Sequence, residues 1–167
     1  MSKFYDDLNY INIINDILEN EEFNKIKSIE HHGTTRYEHS MKVAYASYKI
    51  AKFLHLDYIE VARAGLLHDF FLSDEERTFK DKFISTFTHP KYAVETSKKY
   101  FELSEKEIDI IKSHMFPIYT SVPKYAESWV VSLVDKTIGS FEFLAKFRYK
   151  FSYAMNIFVI FLINNIK

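Results

Sequence analysis

Six residues of the types that hold metal ions stand out in this chain: His39, the adjacent pair His68-Asp69, His89, His114 and Asp135. Each lies in or beside a segment whose apolar spacing predicts a helix. Imidazoles and carboxylates together suit Mn, Fe, Ni, Co or Zn better than Mg. The chain has seven histidines, and four of them fall in this set. Taken singly, each residue has an ordinary reading. His39 facing a helix interior is a core histidine, His114 is a cation meeting a helix C-terminus, and Asp135 is a capped or ion-paired acid. Their order along the chain is what points to a site.

The placement of each is specific. On a continuous helix His68 and Asp69 would point about 100° apart, so one centre takes both only where that helix frays or turns. Gly65-Leu66-Leu67 precede the pair and Ser73-Asp74 follow it. Asp135 ends the apolar run Trp129-Val130-Val131-Ser132-Leu133-Val134. A buried unpaired carboxylate is costly, and a metal removes that cost. His89 precedes Pro90, and His114 lies three residues before Pro117, so both border expected loops. This set allows two ions with Asp69 as the bridge and catalytic carboxylate beside an activated water. His31, His32 and His55 read as surface or structural residues.

The elements that must position these residues are helices. Apolar residues recur at Leu8, Ile11, Ile14 and Leu18, predicting a helix over residues 5–18. A second helix is expected from Glu21 to Glu30 with Phe23, Ile26 and Ile29 inward, ended by Gly33. Thr34 or Thr35 can cap a helix from Tyr37 to Leu54, with Val43, Ala46, Tyr48, Ile50 and Phe53 available for packing. Asp57 can cap the next, from Tyr58 to Phe71. Residues 72–88 are polar and irregular in pattern. Pro90 is expected at the first position of a helix to Phe101. Ser104 and Glu107 form a capping box for a helix to Met115. Pro117 and Pro123 bracket a loop. From Lys124 onward one or two long helices follow, with Gly139 the point where a kink could fall. No strand pattern competes, so the expected fold is all-α.

Composition sets the outer bounds. A chain of 167 residues, 47% hydrophobic and 17% aromatic, suits one domain with a real core. Three Gly and three Pro are too few for a many-turned β fold. A net charge of −1 leaves no electrostatic footprint for nucleic acid. The absence of cysteine excludes disulfides and thiolate metal sites, and fits a cytoplasmic location. The first residues, Met1 to Asp7, contain no apolar signal core. Frequent Ile, Asn, Lys, Tyr and Phe suggest an AT-rich bacterial genome. The apolar stretch 151–163, FSYAMNIFVIFLI, falls short of the ~20 residues needed to span a bilayer. It is expected to be a packed helix, on the domain's own helices or across a homodimer. The alternative is an interfacial anchor with Lys146, Arg148 and Lys150 as a basic collar.

At the six ligand-type residues the chain resembles the HD superfamily of metal-dependent phosphohydrolases, over about residues 32–140. The motif His…His-Asp…Asp matches His39, His68-Asp69 and Asp135, and the additional His89 and His114 resemble the dinuclear subgroup. Arg36-Tyr37-Glu38-His39-Ser40, Leu67-His68-Asp69-Phe70 and His89-Pro90 look closer to the hydrolases of diadenosine tetraphosphate and to small bacterial HD-domain proteins than to the HD-GYP phosphodiesterases. The Gly-Tyr-Pro element of the latter is missing, because His114 is followed by Met115-Phe116-Pro117.

The resemblance implies a single-domain helical HD fold: helices over 1–31 packing on the core, the HD domain over 32–140, and an apolar helix over 141–167 in the same compact unit. It implies two divalent transition ions (Mn, Fe, Ni, Co or Zn) and hydrolysis of a small phosphorylated molecule, a nucleotide or dinucleotide. Many members carry Lys three residues after the motif Asp; here that residue is Leu72. Arg36, one turn before His39, is the cation best placed to meet phosphate, with Lys91 and Lys136 behind it. Two other classes share the scaffold: a di-iron oxygenase, and a catalytically idle metal-containing sensor or interaction module.

Overall fold

A computed structural model describes residues 4–31, 34–72 and 79–165, with side chains described throughout except at 30, 31, 79–87, 154 and 158–165. Two short helices come first, α1 (Leu8–Leu18) and α2 (Glu21–Asn24), followed by a 3-10 turn over Lys25–Ser28. Asp7 caps α1 through the Tyr10 amide, and Asn20 caps α2 through that of Phe23. A two-residue antiparallel ladder pairs β1 (Glu30–His31) with β2 (Thr34–Thr35). Then come α3 (Arg36–Phe53), α4 (Tyr58–Leu67), α5 (Phe79–Tyr100), α6 (Glu105–Ser113) and α7 (Ala126–Asn165). The fold is all-α.

The capping signals act where the sequence places them. Thr35 and Glu38 form a capping box at the start of α3, Asp57 caps α4, and Ser104 with Glu107 forms a second box at α6. Each satisfies amide donors that the first helical turn leaves open. Between α3 and α4, His55 takes a positive φ of 56°. The amides of His55 and Leu56 donate to the carbonyls of Lys52 and Ala51, closing the end of α3 with a left-handed residue.

Several expectations are corrected. The helix from Glu21 gives way to the 3-10 turn at Lys25, because Ile29 is already extended and leads into β1. Gly33 lies outside the described residues. Helix α4 ends at Leu67, not Phe71. Pro90 does not open a helix, since α5 begins at Phe79. The spacing Phe79, Phe83, Ile84, Phe87 is a helical period that the polar residues between them obscure. Helix α5 runs through Pro90, whose φ suits a helix but whose nitrogen has no N–H, so the ladder lacks that one donor. Leu8, Ile50 and Phe53 are exposed. The buried stripe of α1 is Tyr10, Ile14 and Ile17, and that of α3 is Tyr37, Met41, Ala44, Tyr48 and Ala51. The three exposed residues stand off those 3.6-residue stripes.

The core lies between α3 and α4 and is closed by α1, α6 and the first half of α7. Helix α3 packs most extensively on α4. Their closest approach is at Gly65, where a Cβ would lie 3.0 Å from the Ala44 Cα. Fully buried aromatic rings brace the other side: Phe23 meets Phe70 edge-on at 5.4 Å, and Tyr10 lies 5.2 Å from Tyr48. Arg63 of α4 ties in α1 and α6, donating to Asp16 at 2.7 Å and Glu107 at 3.2 Å. Asp109 accepts from the Lys124 amide and the Ser128 hydroxyl, fastening the loop between α6 and α7.

Helix α7 is continuous for 40 residues and passes through Gly139 without interruption. Its first half is buried in the core through Ser128, Val131 and Val134. Beyond it Phe143, Phe147, Phe151 and Tyr153 are each more than half exposed. Packing of the 151–163 stretch on the domain's own helices is therefore not what its described side chains show. Among the described residues, no helix is long and apolar enough to cross a membrane.

The Gly65 contact generates a test. Gly65→Val would force the α3 backbone away from α4 and should cost ~1–3 kcal/mol, the usual penalty of overpacking. For a chain of this size that is a fall of several degrees in Tm. A variant unfolding at the parent's temperature would show that the close approach does not constrain the fold.

Candidate metal centre

The helix ends aim the ligands. His68 and His114 are the residues that terminate α4 and α6, with nearly identical backbone angles (φ −57°, ψ −32° and φ −56°, ψ −31°). In each, Nδ1 donates to the carbonyl three residues back: Gly65 for His68 and Ile111 for His114, both at 2.7 Å. The last carbonyls of a helix lack intrahelical partners, so this bond satisfies one and fixes the ring. In the neutral form both rings then carry the proton on Nδ1 and present Nε2 inward. Burial lowers the pKa of His68, but the carboxylates of Asp69 and Asp135 outweigh it and raise the pKa overall. Asp69 follows His68 in the turn, as the sharing of one centre by adjacent residues requires.

Four residues form one half of the centre. His39, from the first turns of α3, places Nε2 3.0 Å from Asp135 Oδ1, and His68 Nε2 lies 3.6 Å from the same oxygen. His68 Nε2 is also 3.8 Å from Asp69 Oδ2. These latter distances exceed a hydrogen bond, and His68 Nε2 is buried with no hydrogen-bond partner among the described residues. Burial by itself would lower the pKa of His39, but hydrogen bonds to Asp135 and Glu142 raise it to about 10. Burial likewise opposes ionisation of Asp135, yet His39 and His68 hold its pKa well below the ordinary carboxylate range.

The other half shares Asp69. Its Oδ1 lies 3.3 Å from His89 Nε2 and 3.7 Å from His114 Nε2. The two imidazole nitrogens converge to 2.9 Å. His114 is fully buried, and burial together with His68 and His89 lowers its pKa to about 3, so its Nε2 remains a lone pair. His89 projects from within α5, and its ring stacks on Phe71 at 5.4 Å. Ligand atoms of His39, His68 and Asp69 lie mutually within 4.8 Å, as do those of Asp69, His89 and His114, and those of His68, His114 and Asp135. All six residues named from the sequence thus meet at one place.

The cations are distributed differently. Arg36 is buried, with its guanidinium 3.8 Å over the Phe71 ring and Nη1 donating to the Phe71 carbonyl. Its Nε has no hydrogen-bond partner among the described residues. Lys136 is committed to structure: Nζ donates to the His114 carbonyl and the Ser132 hydroxyl, both at 2.7 Å. Lys91 is on the surface, 3.8 Å from Glu95. Leu72 is exposed and supplies no charge.

Three contributors were not read from the sequence. Ser132 donates to the His114 carbonyl at 2.8 Å, alongside Lys136. Glu142 accepts from His39 Nδ1 at 2.8 Å. Lys42 donates to the other Glu142 oxygen at 2.7 Å. Spacing offered a signal for two of them. Glu142 lies seven residues after Asp135, two turns along one helix face, and Lys42 lies three after His39.

The residues fit a metal centre. A buried imidazole nitrogen, that of His68, has no hydrogen-bond partner among the described residues and faces two carboxylates, and the set is wholly nitrogen and oxygen. No curated protein and no solved structure gives a significant match to the chain. The sequence model of the HD domain matches residues 36–139, which is more than half of the chain and contains all six ligand-type residues. The chain belongs to the HD-domain family, whose members are mostly metal-dependent hydrolases.

Proposed function

We propose that this chain hydrolyses phosphate esters or anhydrides, of a nucleotide or dinucleotide, at a two-ion centre held by His39, His68, Asp69, His89, His114 and Asp135. One observation carries the reading: the two oxygens of Asp69 face different ligand clusters. Oδ2 is directed toward His68 and Oδ1 toward His89 and His114. That is the disposition of a bridging carboxylate. Divalent transition ions held there supply Lewis acidity and a water acidified toward neutral pH.

The chain's own groups do the rest. Asp69, buried between the two clusters, would offer one oxygen to each ion. The Nδ1 bonds of His68 and His114 hold both rings in the tautomer that a ligand needs. Arg36 carries the positive charge for the phosphoryl oxygens. Its guanidinium is fixed by Phe71, lies within the field of Asp69, and keeps a buried N–H without a partner among the described residues. The exposed aromatic residues of α7 support a homodimer through its second half, because burying them removes large apolar area from water.

Metal analysis is the first test. Saturated protein should bind more than one equivalent of Mn, Fe or Zn. Asp69→Ala should lose both ions, and His89→Ala mainly one. Parent-like metal content in both variants would show that these are not the ligands.

Activity is the second. A generic phosphodiester or a nucleotide anhydride should be cleaved, the activity should vanish with chelator, and added Mn should restore it. Arg36→Ala should lower kcat/KM by ~10²-fold, the usual loss for one charge-stabilising donor, with metal content unchanged. Unchanged kinetics would remove Arg36 from the reaction.

The third is assembly. Light scattering should give a dimer mass for the parent and a monomer mass for Phe147→Glu combined with Phe151→Glu. A monomeric parent would refute the dimer.

A further inference from the structure

We propose that Glu142 is a positioning residue for the ligand His39, and that Lys42 holds it in that role. The inference rests on the metal-centre reading above and adds a residue that lies beyond the HD match at 36–139.

Helix polarity is the starting point. His68 and His114 end their helices, where carbonyls are free, and each ring is fixed by the carbonyl three residues back. His39 has no such resource. It is the fourth residue of α3, at the end of the helix where the free backbone groups are N–H donors. The carbonyl three residues back, that of Arg36, belongs to the helical ladder. An acceptor for His39 Nδ1 must therefore come from a side chain, and Glu142 supplies it at 2.8 Å.

The geometry around that bond is built. Asp135 and Glu142 lie two turns apart on one face of α7, so the same helix meets both nitrogens of the His39 ring: Asp135 at Nε2 and Glu142 at Nδ1. The Glu142 side chain is 11% exposed although the apolar residues around it in sequence, Phe141 and Phe143, face solvent. Lys42, one turn after His39 on α3, binds the second Glu142 oxygen at 2.7 Å. That contact prevents Glu142 from swinging toward the centre as a competing ligand. It also balances the negative charge brought in by Asp69, Asp135 and Glu142 together. A carboxylate on Nδ1 fixes the tautomer with Nε2 free and raises the basicity of the ligating nitrogen.

The test measures metal affinity and apoprotein stability in parallel, on the full chain. Zn or Mn dissociation constants are read by competition with a chromophoric chelator, and Tm is read on metal-free protein. Glu142→Ala should weaken the ion held by His39 by ~10–100-fold, the range found for partners of a ligating histidine. Glu142→Gln should lose less, because its amide oxygen still accepts from Nδ1. Lys42→Met should also weaken binding, by releasing Glu142. A lowered apoprotein Tm with parent-like affinity in the Ala variant would make Glu142 a structural residue and overturn the proposal. Should the Ala variant fail to fold, parent-like affinity in both Glu142→Gln and Lys42→Met overturns it equally. A parent that binds neither metal fails differently, because it removes the metal centre itself.

Discussion

The structure depends on one constraint: largely buried imidazole and carboxylate atoms must converge, and each must keep its donor atom facing inward. Burying ionisable groups is expensive unless partners are present. The chain meets this by using helix termini. At the ends of α4 and α6 a free carbonyl accepts a hydrogen bond from Nδ1 of the terminal histidine, so satisfying the backbone and aiming the ring are one event. The repetition of nearly identical backbone angles at His68 and His114 shows that this is a single local solution used twice.

The scaffold then has to hold those termini in register. The six ligand-type residues sit on α3, on the turn after α4, on α5, at the end of α6 and on α7, so no local segment can bring them together alone. The close approach of α3 and α4 at Gly65 sets the distance from His39 to His68. Gly65 also supplies the carbonyl that fixes His68, so packing and ligand orientation share one residue. On the far side of the turn, Phe70 is locked by Phe23, while Phe71 lies between Arg36 and His89. Asp69 is thereby clamped by the residues on both sides of it. The N-terminal helices brace the centre from outside through that aromatic contact.

Helix α7 does two things along its length. Its first half is a core helix that carries the candidate ligand Asp135. There Ser132 and Lys136 fasten the His114 carbonyl, Asp135 joins the centre and Glu142 meets His39. Its second half offers apolar side chains to solvent. The exposed run begins at Phe141 and brackets Glu142, which itself stays largely covered. A period of apolar residues on nearly every side predicts burial, but the sequence has no means of saying whether the covering surface belongs to the same chain.

What the sequence by itself determined is local. Capping boxes at Thr35 and Ser104 and the cap at Asp57 set where helices begin, because a cap acts over three residues. The ligand types and their order were legible for the same reason: His39, His68-Asp69, His89, His114 and Asp135 are identities, and all six meet in space. Element ends were less legible. The stretch before Pro90 is helical although its polar residues obscure the period, and Ile50 and Phe53 face outward because only packing chooses among neighbouring stripes of one helix. Tertiary structure alone decided which groups support the ligand-type residues. Glu142 reaches His39 across 103 positions, Lys136 serves a carbonyl instead of a phosphate, and Arg36 stacks on Phe71. Such partnerships depend on distances between helices, and no residue carries that distance in its own type or spacing.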